Sequence, residues 1–437
     1  MNLPTLKTQP EQSWYTLTAI QAGGALCLPV LIVGYILAHQ YGWRTALLAL
    51  FVGNLILCIA ALPLVIMATR TRLSTLALAE LLLGKIGATI GTISLLIPLV
   101  GWTALQCALM GRSLQVLLLH TRLGSALSIS PEISLVLATC LAGLLITIAC
   151  RRGIQSISTL TKLSIPLSVT LALYAAWHAL STSCAALAAK LPALPLILSA
   201  IDTSLYPGLF ISLASAIALV IATSASAVVD LPTYYRSAQS VRTGIISIIL
   251  VFLLVVPGIE GIGLLVGACS ATTDFLDALC AGSNACTPVL VNILLAVTGL
   301  VTTASTLFSA ATACTVLAPR LTYLQARVLM GTCSTTLALM PLAHAYETAL
   351  IWLSLTTVSM GTLVLGMLLV RQKTLARPRS WTFLVIWIGG CLAGVASMTG
   401  LFSPTGHPLV DVVMITSLAL IIALRFSKRN LPKKLPA

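Results

Sequence analysis

The sequence predicts an all-α polytopic membrane protein that crosses the bilayer twelve times. Three observations carry this. Of 437 residues, 58% are hydrophobic and only 8% are charged, against about 25% charged in a soluble domain; mean hydropathy is +1.06. The apolar runs are long and continuous, as membrane helices of about 20 residues require, and unlike the short alternating strands of a barrel. The basic residues are also sorted by side. With the amino terminus inside, only Arg44, Arg112, Arg122 and Lys190 of the 24 basic residues fall outside, the bias that orients membrane helices. The formal charge of +14 therefore reflects topology in a lipid bilayer, not nucleic-acid binding.

The spans read as 17–39, 44–68, 86–119, 133–150, 158–180, 208–229, 242–268, 285–319, 321–345, 348–370, 381–399 and 408–425. Residues 1–16 form a polar cytoplasmic tail with no cleavable signal peptide, and 426–437 a basic one. Both termini are expected in the cytoplasm, and a bacterial inner membrane fits this pattern best.

Span 1 contains Gln21-Ala22-Gly23-Gly24-Ala25, followed by Pro29. Glycines and a proline weaken the helical ladder. Interrupted backbone at membrane depth survives only where it is buried or lines a cavity. The segment is thus either a kinked, closely packed helix or a discontinuous helix at a binding site. After span 2, Ser74 caps a short helix beginning at Thr75.

Span 3 carries Gly101, Trp102 and Gln106. Trp102 and Gln106 are four apart and share a helical face. An indole offers a flat surface for stacking, and a primary amide can read the edge of a planar heterocycle. The same pair also suits ordinary packing, with Gln106 bonded to a neighbouring helix.

Span 6 ends in Ala222-Thr223-Ser224-Ala225-Ser226-Ala227 and then Asp230 and Pro232. Small residues and a proline suit either tight packing or a second broken helix. Two interrupted segments in corresponding positions, spans 1 and 6, point to a transporter site if spans 1–5 and 6–10 are repeats. Span 8 holds Thr302, Thr303, Ser305, Thr306 and Ser309. Most such hydroxyls bond to their own backbone, but one or two can offer neutral oxygens to Na⁺.

No acid or base stands clearly in mid-membrane. Proton-coupled carriers usually place one there, so Na⁺ coupling or uncoupled transport is favoured. The same absence leaves a hydrolytic enzyme without its acid or base. The chain is expected not to be an enzyme. It calls for no cofactor and no metal beyond Na⁺. Cysteines lie mostly in apolar runs as small hydrophobes; Cys280 and Cys286 share an outer loop and can pair in an oxidising compartment.

Together these segments resemble the nucleobase–cation symporter family, the purine/cytosine permeases and hydantoin carriers, over roughly the first 320 residues. Leu73-Ser74-Thr75 with Leu78-Ala79 and Gly84 is similar to the family's loop after helix 2. Gly101-Trp102 with Gln106 resembles its helix 3 motif. Asp230 with Tyr235 and Arg236 resembles its signature after helix 6, and Leu307-Phe308-Ser309-Ala310 its helix 8.

The resemblance implies a LeuT-type 5+5 inverted repeat, 17–180 and 208–370, plus two further helices over 381–425. It implies alternating access, a heterocyclic substrate, and Na⁺ or H⁺ coupling. Trp102 would stack on the base and Gln106 would bond its edge. Gln21, Gly24, Ala222, Thr223, Ser224 and Thr306 would also face the substrate, and Gly23, Ala25, Thr302 and Thr303 the cation. Three features depart from the pattern. An ungapped match puts Val301 at one of the two hydroxyl positions used for Na⁺, and a one-residue shift restores Thr302 and Thr303. Nothing aromatic lies between Val220 and Val229, and Thr306 stands where the family often has Asn. Two other readings remain: an amino-acid or amine carrier of the same architecture, and a non-transporting membrane subunit.

Overall fold

The computed structural model describes residues 11–119, 130–152, 166–181, 207–270, 272, 274–280, 286–340, 346–369 and 380–429. Among these the protein is almost wholly helical, and each of the twelve expected spans contains a helix.

Helix α1 runs Trp14–Ala25, capped by Ser13, whose hydroxyl accepts from the Thr16 amide. The chain then breaks. Leu26 bonds back to Ala22, and Cys27 is extended at φ −129 and ψ 155. Helix α2, Leu28–Thr71, restarts with Pro29 in its first turn. The expected interruption at Gln21–Ala25 is thus found just beyond it. Proline fits the first turn of a helix, where its missing N–H costs nothing, so the helix restarts immediately before Pro29 and the glycines stay helical. Helix α2 carries the rest of span 1 and all of span 2, turning at Gly42, whose φ of 75 is open to glycine.

The remaining elements follow in order. They are α3 (Thr75–Leu83), α4 (Lys85–Leu119), α5 (Pro131–Ala149), α6 (166–181), α7 (Pro207–Tyr235), α8 (Val241–Leu250), a π segment (Val251–Val255), α9 (Val256–Cys269) and α10 (Phe275–Cys280). They continue with α11 (Cys286–Leu317), α12 (Tyr323–Ala338), α13 (Tyr346–Leu369), α14 (Ser380–Met398) and α15 (Pro408–Arg429). Nine described helical segments are long and apolar enough to cross a membrane. Ser74 caps α3, accepting from the Ala77 amide.

Span 6 is not a second broken helix. Helix α7 runs unbroken through Ala222–Ala227 to Tyr235. The Thr223 hydroxyl donates to the Leu219 carbonyl at 2.9 Å, satisfying itself within the helix. Pro232, in the last turn, removes one ladder bond without breaking the helix, which continues to Tyr235. Span 7 is interrupted instead, by the π segment before Pro257, a common device where a proline enters a helix.

Glycines let helices approach closely. A Cβ at Gly34 of α2 would lie 1.8 Å from the Glu260 carbonyl oxygen of α9, and one at Gly263 would lie 1.8 Å from that of Leu31. A second apolar core, around Ala104, Met110, Ile146, Leu307 and Met330, joins α4, α5, α11 and α12.

Candidate functional site

Trp102 and Gln106 are both buried on α4, and Gln106 faces α11. The Gln106 Oε1 accepts from two hydroxyls, Thr302 Oγ1 and Thr303 Oγ1, each at 2.8 Å. Each hydroxyl has one hydrogen and also lies in reach of its own helix, Thr302 at 3.2 Å from the Thr298 carbonyl and Thr303 at 2.5 Å from that of Gly299. The amide therefore competes with the α11 backbone for those protons. One turn along, Thr103 and Thr306 hydroxyls meet at 3.0 Å. Among the described residues, the Trp102 indole N–H and the Gln106 NH₂ have no hydrogen-bond partner. The space left by Gly101 is used by a neighbour, since a Cβ there would strike Leu353.

The break between α1 and α2 borders a small cavity. Its walls include Cys27 and Leu31, Ser168 of α6, Ile259 of α9 and Thr298 of α11. Gln21, Gly23, Gly24 and Ala25 occupy the last turns of α1 before the break; a Cβ on Gly24 would meet nothing within 4 Å. The structure thus brings Thr302 and Thr303 to Gln106, and brings Thr298, one turn earlier, to the break. Thr298 and Ser168 were not singled out by sequence, although Thr298 continues the hydroxyl face of span 8. Ala222, Thr223 and Ser224 are buried on α7.

The loop after span 2 and the end of span 6 form one polar cluster. Asp230 Oδ1 accepts from Thr233 Oγ1 at 2.7 Å and Thr75 Oγ1 at 3.3 Å. Arg72 donates to the backbone carbonyls of Arg236 and Ala238 and pairs with Glu11 at 3.4 Å. Gln12 bridges to Ser237 and Gln239. The fully buried Tyr235 shares a 2.8 Å hydrogen bond with Ser247. Arg236 enters this cluster through its carbonyl.

One expectation is overturned. An acid does stand inside a span: Glu260 of α9 is fully buried, about 13 Å of helix from the end of α9. It is bonded to Asn54 of α2 at 2.6 Å. The glutamate was visible in span 7, but its partner lies 206 positions away. The pairing of Cys280 with Cys286 lies outside the described residues, because the Cys286 side chain is not among them.

A helical bundle with a broken span at membrane depth and a buried aromatic–amide face has the build of a secondary transporter. The chain belongs to the family of permeases for cytosine/purines, uracil, thiamine and allantoin, whose model matches residues 5–376. No curated protein matches it in sequence. Its fold is similar to that of Mhp1, a nucleobase-cation-symport-1 family transporter, in a closed conformation with bromovinylhydantoin bound: TM-score 0.70, 14% identity, 99% of this chain and 98% of that one covered. The inward-facing conformation of Mhp1 matches at 0.69, with 14% identity over 98% and 94% of the two chains. A Na⁺-coupled sialic acid symporter in a substrate-bound outward-open state matches at 0.67, with 13% identity over 98% and 91%. The architecture is LeuT-type, and the protein is an integral multi-pass membrane transporter of the nucleobase and heterocycle class, not an enzyme.

Proposed function

We propose that this protein imports a nucleobase such as cytosine, or a related planar heterocycle, by alternating access coupled to Na⁺ or H⁺. The carrying observation is the buried Trp102–Gln106 face on α4. Trp102 stacks on the ring. Gln106, its oxygen held by Thr302 and Thr303, turns its NH₂ to the ring's acceptors. Thr306, Ala222, Thr223 and Ser224 complete the wall, with Gln21 and Gly24 from the broken span. Gly23 and Ala25 offer carbonyls to a cation, and Thr302 and Thr303 offer hydroxyls. The Thr75–Asp230–Thr233 cluster, with Tyr235 and Arg236, closes the inner end. Residues 17–180 and 208–370 are the two repeats, 381–425 the added pair, and both tails are cytoplasmic in a bacterial inner membrane.

The test is uptake into liposomes of labelled cytosine, uracil, adenine, hypoxanthine and a hydantoin, each under a Na⁺ and a pH gradient. Stacking on an aromatic contributes about 1–3 kcal/mol. Saturable uptake of one base, lost in Trp102→Ala with the protein still folded, is the expected result. Undiminished uptake in that variant refutes the stacking role. Competition by free amino acids, with no base transported, refutes the substrate class.

A further inference from the structure

The buried pair Glu260–Asn54 has no part in the substrate site described above, and its chemistry is incomplete as it stands. Asn54 Nδ2 donates to Glu260 Oε2 at 2.6 Å and to the Leu50 carbonyl at 2.9 Å. Glu260 Oε1 and Asn54 Oδ1 are both buried without a hydrogen-bond partner. With the carboxylate ionised, both atoms are acceptors, and neither can serve the other. One proton on Glu260 changes this. A carboxylic acid facing a primary amide can close two antiparallel hydrogen bonds, N–H to oxygen on one edge and O–H to oxygen on the other.

No countercharge does this work instead. The two ion pairs among the described residues are Arg72–Glu11 and Arg112–Asp274. Within a turn of Gly34 and Asn54, α2 presents the titratable groups Tyr35 and Cys58, and the Tyr35 hydroxyl is bonded to the carbonyls of Thr272 and Asp274. The other elements around α9 bring Tyr15 (α1), Tyr174 and His178 (α6), Arg242 (α8), and Asp277 and Cys280 (α10); the π segment brings none. An unpaired carboxylate inside a bilayer is strongly disfavoured. The site also adjoins the moving parts a carrier needs. The Glu260 carbonyl packs on Gly34, in the half of span 1 that follows the break, and Ile259 lines the cavity at that break.

We infer that Glu260 and Asn54 form a proton-binding site, and that Glu260 takes a proton from one side of the membrane and releases it to the other as the carrier cycles. The inference rests on the transporter reading and names H⁺ as its coupling ion. Release requires water to reach Glu260, hence a parting of α9 from α2.

The experiment uses the full chain in liposomes loaded with a pH-sensitive dye, as wild type and as Glu260→Gln. A glutamine keeps the shape and supplies the second donor permanently. Two readouts are compared for the labelled bases above: exchange against unlabelled base inside, and accumulation driven by an inward pH gradient. The expected result is exchange within about twofold of wild type, with accumulation and lumen acidification lost. Acidification equal to wild type in the variant overturns the inference. Should Glu260→Gln not fold, Asn54→Leu serves: a shifted pH midpoint of accumulation supports the site, and an unchanged one overturns it. If neither protein carries any base, the substrate reading falls, and infrared spectroscopy still decides the site. A carboxyl stretch that titrates with pH in the wild type and is missing in Glu260→Gln supports it; no such band overturns it.

Discussion

Replacing Gly34 with alanine tests how tightly α2 and α9 are closed on each other. The added Cβ would lie 1.8 Å from the Glu260 oxygen and 2.8 Å from both its carbonyl carbon and the Leu264 nitrogen. Ordinary contact begins near 3.4 Å, so the helices must separate by about 1.6 Å at this point. The obstacle is backbone, which no rotamer change can move. Overpacking of this kind costs about 1–3 kcal/mol, and Gly34→Ala belongs at the upper end. The parting also stretches the 2.6 Å bond from Asn54. Gly258→Ala and Gly261→Ala are the controls on the facing helix α9, because a Cβ at either meets nothing within 4 Å. They should be neutral or stabilising by up to about 1 kcal/mol, as alanine restricts the unfolded chain. Thermal unfolding of the detergent-purified proteins reads the difference. Gly34→Ala as stable as Gly258→Ala would refute the close approach.

Three further outcomes are expected. Trp102→Ala weakens substrate binding by about 1–3 kcal/mol, roughly one to two powers of ten in Kd, measured by tryptophan-independent radioligand binding. Thr302→Val with Thr303→Val strips both donors from Gln106 Oε1. This leaves a buried acceptor unpaired, at a cost of about 1–3 kcal/mol in stability, and an unaltered melting temperature would count against the bonds. Asp230→Asn replaces two charge-assisted bonds by weaker neutral ones, loosening the link between the two loops. Hydrogen exchange over 72–78 and 230–238 should then rise, while exchange in α14 should not.

The helices within the twelve expected spans were legible because long apolar runs report directly on the bilayer. The Trp102–Gln106 face was legible because helical spacing joins residues four apart. The break in span 1 was legible from its glycines and Pro29, but not its position, since a proline ends the preceding irregularity by starting a helix. Span 6 misled because hydroxyl residues loosen a sequence pattern without breaking a helix when, like Thr223, they bond back to it. Partners across the bundle were not legible. Gln106 meets Thr302 and Thr303 over 196 and 197 positions of sequence, and Glu260 meets Asn54 over 206. No periodicity reaches that far. Glu260 itself was in plain view, diluted by the apolar run around it.

The corner at Gly42 leaves the chain no slack. Two membrane helices joined by a loop can drift independently, whereas these two pivot on a single residue. From Gly42 to Thr71 the second arm is a helix of roughly 45 Å with Pro63 within it. Its far end hands over to Arg72 and Thr75, which grip the Asp230 and Arg236 segment. Its middle carries Asn54, and the shorter arm starts at the break. Glu260 touches both arms, its carbonyl against Gly34 of the short one and its carboxylate bonded to Asn54 of the long one.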